Sequence, residues 1–143
     1  MIRRLHSSAR LVVLLLVVAF ASACAAKTIR QVATANHQFA TSLQRLQGTV
    51  TQLHDAGHLT DPSYQSWQVG FKKLAQAGQA LNEALRQSDG QGATAQIRVA
   101  VDAVDQLIRD QVITVRPEHQ LAVAIGLESV RSVLISMSVA VED

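Results

Sequence analysis

The chain has 143 residues, 48% of them hydrophobic and 3% aromatic, with two prolines and a single cysteine. That is enough apolar material for the core of one domain, and so few aromatics argue against a sandwich or barrel and for helices. The formal net charge of +2 comes from the N-terminus: Arg3, Arg4 and Arg10 precede residue 24, after which ten Lys/Arg face eleven Asp/Glu. No basic stripe is left to grip phosphates, so a nucleic-acid partner is not expected.

The first element is a targeting segment. "MIRRLHSSAR" is a positively charged start, "LVVLLLVVAF" is an apolar run, and "ASA" supplies the small residues that a signal peptidase reads. The run is too short to cross a hydrocarbon layer of about 30 Å as a permanent helix. Residues 1–23 are therefore read as a cleaved signal peptide and residues 24–143 as the mature domain.

Phe20-Ala21-Ser22-Ala23-Cys24 resembles the lipobox of bacterial lipoproteins, a resemblance that covers the signal segment alone. It implies that the Cys24 thiol carries diacylglycerol and that cleavage between Ala23 and Cys24 leaves the cysteine as the first mature residue. The segment departs from the family's pattern at Ala21, where Leu is commonest. The alternative is ordinary cleavage after Ala21-Ser22-Ala23, which leaves an unpaired thiol in an oxidising compartment. Lipid at Cys24 would make the membrane a partner of this chain, since each buried methylene contributes about 0.8 kcal/mol. The lipoprotein resemblance also implies export and, with Ala25 rather than Asp after the cysteine, the outer membrane or cell surface. A soluble periplasmic or secreted protein is the alternative.

Four helices follow from apolar spacing, over about 27–56, 62–87, 93–112 and 118–141. In the first, Ile29, Val32, Asn36, Phe39, Leu43, Leu46, Val50 and Leu53 alternate steps of three and four, the mark of an amphipathic helix. At 1.5 Å per residue it makes a rod of roughly 45 Å. Gly57 suits the left-handed position that closes it. Asp61 and Pro62 read as N-cap and first residue of the second helix, whose stripe is Tyr64, Trp67, Phe71, Leu74, Gly78, Leu81 and Leu85. "SDGQG" then breaks the chain. The third helix carries Ile97, Val101, Val104 and Ile108, with Ala100 and Leu107 beside them, and the fourth carries Val123, Leu127, Val130, Leu134, Met137 and Val141. Short connections between four such helices predict an all-α, antiparallel up-down-up-down four-helix bundle. Folding the first hairpin about residues 58 and 59 sets Phe39 opposite Gly78, a large residue beside a small one.

Candidate chemistry is sparse. His54 and His58 stand four apart, the spacing of two metal ligands on one helix face, but Gly57 between them ends the helix and should spoil the geometry. None of Glu83, Glu118, Glu128 and Glu142 has a histidine three residues on, so a di-iron bundle is not expected. The absence of C-x-x-C-H excludes covalent haem, and non-covalent ligation by His37 or His119 with Met137 is a minor alternative. Asp102, Asp105 and Asp110 lack a calcium-binding loop and read as a solvated face, with Asp105 and Arg109 spaced for an ion pair. No phosphate loop or nucleophile motif occurs. The expectation is a protein without cofactor, metal site or catalytic residues.

The fourth helix departs most from the ordinary. Between Leu121 and Val141 only Glu128 and Arg131 are charged. Leu121, Ile125, Val133, Ile135 and Val139 exceed what one core-facing stripe needs, and packing within the bundle, with weak self-association, is the expected way of covering them. The functional expectation is a non-enzymatic, lipid-anchored helical bundle that serves an unidentified cell-envelope protein as an interaction or structural module. The alternative is a carrier or sensor for an apolar ligand, lipid or haem, held inside the bundle.

Overall fold

The structure is a computed structural model that describes residues 2–142, with side chains from Lys27 onward. The signal peptide expected over residues 1–23, the cleavage expected between Ala23 and Cys24, and the lipid expected on Cys24 thus fall outside the residues whose side chains are described. The elements are α1 (Ile2–Asp55), α2 (Asp61–Arg86), α3 (Gly90–Asp110), a single 3₁₀ turn at Val112–Thr114 and α4 (Pro117–Glu142). Around the ring, α1 packs on α2, α2 on α3, α3 on α4 and α4 back on α1. This is the expected up-down-up-down bundle.

Local chemistry sets the ends of the helices. The α1–α2 turn is a Schellman closure: Gly57 takes φ +77°, its N–H donates to His54 O at 2.9 Å, and His58 N–H donates to Leu53 O at 2.8 Å. Buried Leu59 then pins the turn to the core. The N-cap of α2 is Thr60 rather than Asp61. Its backbone is extended (φ −74°, ψ 157°) and its hydroxyl accepts from Ser63 N–H. Asp61 instead fills the first helical position, where its charge favours the helix dipole and its Oδ1 meets His54 Nε2 at 2.7 Å. Helix α3 starts three residues before expectation because the Asp89 carboxylate accepts from Gly92 N–H at 2.9 Å and caps it there.

The core runs the length of the bundle. Helix α1 gives Val32, Phe39, Leu43, Leu46 and Val50; α2 gives Trp67, Phe71, Leu74, Leu81 and Leu85; and α4 gives Val123, Leu127, Val130, Leu134 and Met137. All lie on the stripes read from the sequence. Helix α3 differs by about one position: its buried line is Ala93, Ile97, Ala100, Val104 and Leu107, while Val101 and Ile108 sit at the margin. Apolar spacing alone favours Val101 and Ile108, but the inner line passes one position earlier, through Ala100 and Leu107.

Glycines mark the closest helix approaches. A Cβ on Gly78 would meet Phe39 Cε1 at 3.0 Å, and one on Gly126 would meet Leu46 Cδ1 at 2.9 Å. The first contact bears out the pairing read from the hairpin. Asn36, the polar member of the α1 stripe, donates from Nδ2 to Gly78 O at 3.2 Å. Asp105 does not pair with Arg109. It lies 2.9 Å from Nε of Arg131 on α4, and Glu128 lies 3.7 Å from the same guanidinium. The hydrogen bond and charge of Asp105, with help from Glu128, hold the Arg131 proton more tightly than usual.

Candidate functional site

The outer face of α4 is the most unusual surface of the molecule. Successive residues of a helix turn by 100°, so Leu121, Ile125, Ser132, Ile135 and Val139 share one side of α4, interrupted by Glu128 and Ser136. Leu121 is 72% exposed, Ile125 58%, Ile135 39% and Val139 53%. Burial inside the bundle, the expectation for this surplus, holds for Val133, which packs partly on the core. It fails for the other four because, among the described residues, α4 packs on α1, α3 and the 3₁₀ turn, all on its inner side. By length and composition α4 could cross a membrane (mean hydropathy 1.5 over its most apolar window), yet its inner face closes the core.

The other clefts are shallow. A groove of about 350 Å³ opens at the end where α1 approaches residue 27, lined by Ile29, Val32, Leu85, Ala93 and Val141. Two more lie where α2 carries glycine, one beside Gly78, Asn36 and Phe39 and one beside Gly70, Lys73 and Leu107. The central side chains Trp67, Phe71, Leu74, Leu127 and Leu134 are fully buried.

No protein-family model matches the chain, and neither does any curated protein sequence. Its backbone is similar to the crystal structure of a pectin methylesterase inhibitor from Arabidopsis thaliana, with a TM-score of 0.58 over 83% of this chain and 76% of that one. The likeness is one of fold. At 15% identity it supports the all-helical bundle and says nothing of a shared target. That neighbour is, by its name, an inhibitor of an enzyme.

The histidines part company in the fold. His37 is exposed and Met137 fully buried, while His119 lies eighteen residues before Met137 on α4, about 27 Å along its axis. No haem-ligating pair is brought together among these three. His54 and His58 also separate, as Gly57 foretold. His54 bonds Asp61 and stacks on Tyr64 with ring centroids 4.1 Å apart, and the Tyr64 hydroxyl reaches Thr51 Oγ1 at 3.1 Å. His58 turns instead towards His119, with ring centroids 4.6 Å apart. Sequence reasoning missed this meeting because the two residues are sixty-one positions apart and no spacing rule joins them.

Proposed function

We propose that this chain is an exported lipoprotein, anchored through Cys24, whose bundle works non-enzymatically by offering the outer face of α4 to a protein partner at the cell envelope. The observation that carries the reading is the apolar stripe of Leu121, Ile125, Ile135 and Val139 on a helix whose core-facing side is already complete. Monomeric soluble proteins seldom keep such a row exposed without a use for it. The anchor rests on the signal segment and the lipobox resemblance. A bundle of similar fold that inhibits an enzyme is in keeping with action through protein contact.

Two measurements test the two halves of this reading. Cys24→Ser should abolish palmitate labelling and move the protein from membrane to soluble fractions; equal labelling of both forms would refute the anchor. A photo-crosslinker at Ile125 should trap a specific protein in intact envelopes, and trapping should fail once Leu121 and Val139 are Asp. Vesicle binding by the unlipidated chain, lost in Ile125→Asp/Val139→Asp, would reassign the stripe to a membrane surface.

The groove at Ile29, Val32, Leu85 and Val141 favours a second reading, an apolar-ligand carrier. Lipid co-purifying with the Cys24→Ser protein and lost on Val32→Trp would support that reading over the first.

A further inference from the structure

At the end of the bundle opposite residue 27, two connections meet. His58 belongs to the Schellman closure of α1, held by its own N–H bond to Leu53 O. Glu118 and His119 occupy the first turn of α4, directly after Pro117. There His119 N–H donates to Arg116 O at 2.9 Å, and Gln120 Nε2 donates to Val115 O at 2.8 Å. Leu59 and Val115, next to these turns, are both buried. The three side chains therefore project from backbone fixed on both sides. One ligand atom from each of His58, Glu118 and His119 lies within 4.8 Å of the other two. Nδ1 of His58 is buried and has no hydrogen-bond partner in the protein.

We propose that His58, Glu118 and His119 form a binding site for a divalent late first-row transition metal, with Zn²⁺ the best fit. Two imidazoles and a carboxylate are a ligand set that such ions accept, whereas calcium and magnesium require oxygen. Tetrahedral zinc with bonds of about 2.0–2.2 Å places its ligand atoms roughly 3.3–3.5 Å apart. Side-chain rotation is the adjustment that binding would require to close the remaining distance. The unpartnered His58 nitrogen is the second pointer, since a buried imidazole nitrogen normally finds a donor, an acceptor or a metal. His54, four residues away, already bonds Asp61 and takes no part. Three protein ligands leave one position for water, on the side where Glu118 is exposed. The ion would clamp the α1–α2 turn to the start of α4, joining two connections that meet through the packing of His58 on His119.

The test is a zinc titration of the chelator-stripped full chain in detergent, read by calorimetry and thermal melting. One zinc per chain should bind and raise the Tm by several degrees, because an ion that binds only the native state stabilises it. His58→Ala and His119→Ala should each weaken binding at least tenfold while melting like wild type in chelator. Should either alanine variant melt lower there, His58→Asn or His119→Gln replaces it. His54→Ala should bind zinc as wild type does. Co²⁺ in place of zinc should show the visible absorption of a tetrahedral site and lose it in His119→Gln. Saturable binding that survives both His58→Ala and His119→Ala, or depends equally on His54, would overturn the assignment. So would the absence of saturable binding to wild type.

Discussion

Helices α2 and α4 are each 26 residues long and each lays one face on the core, yet they finish differently. Helix α2 spends its large apolar residues inward, on Trp67, Phe71, Leu74, Leu81 and Leu85, and shows lysine, glutamine and asparagine outside, with Val69 the exception. Helix α4 buries Val123, Leu127, Val130, Leu134 and Met137 just as completely, then sets Leu121, Ile125, Ile135 and Val139 in solvent. Folding accounts for the sequence of α2. It accounts for only one face of α4, and the other face is the one to explain by function.

That contrast can be broken by mutation. The largest effect is expected at Trp67, fully buried on α2: Trp67→Ala should cost about 3–5 kcal/mol in urea unfolding. Leu127→Ala on the inner face of α4 should follow at about 2–5 kcal/mol. Gly78→Leu should cost about 1–3 kcal/mol by forcing a side chain against Phe39, and an unchanged melt would show that α1 and α2 pair in another register. Thr60→Ala should remove about 1 kcal/mol by uncapping α2; a larger loss in Asp61→Ala would return the cap to Asp61.

The smallest effect belongs to the outer stripe. Leu121→Asp and Ile125→Asp should change stability by no more than about 0.5 kcal/mol, measured beside Leu127→Ala in the same denaturant. If Leu121→Asp instead costs as much as Leu127→Ala, the outer face is covered within the bundle or by a second copy. Sedimentation of wild type against the Asp variants separates those two cases.

Several features were legible in the sequence because they are local. The stripes of α1, α2 and α4, the left-handed Gly57 and the existence, though not the exact bounds, of the breaks after α1 and α2 follow from helical periodicity and turn chemistry, which act over a few residues. The proposed signal segment and lipid on Cys24 also rest on neighbours along the chain, and the labelling of Cys24→Ser is their test. Packing and charge across helices were decided elsewhere. Which face of α3 turns inward was decided by its packing against α2 and α4, so Ala100 and Leu107 lie on the core line in place of Val101 and Ile108. Asp105 chose Arg131 over Arg109 because a neighbouring helix presented the better-placed guanidinium. His58 and His119 meet only because the ring of helices returns α4 to the turn where α1 ended. Contacts of that kind depend on distances in space, and a single sequence records only distances along the chain.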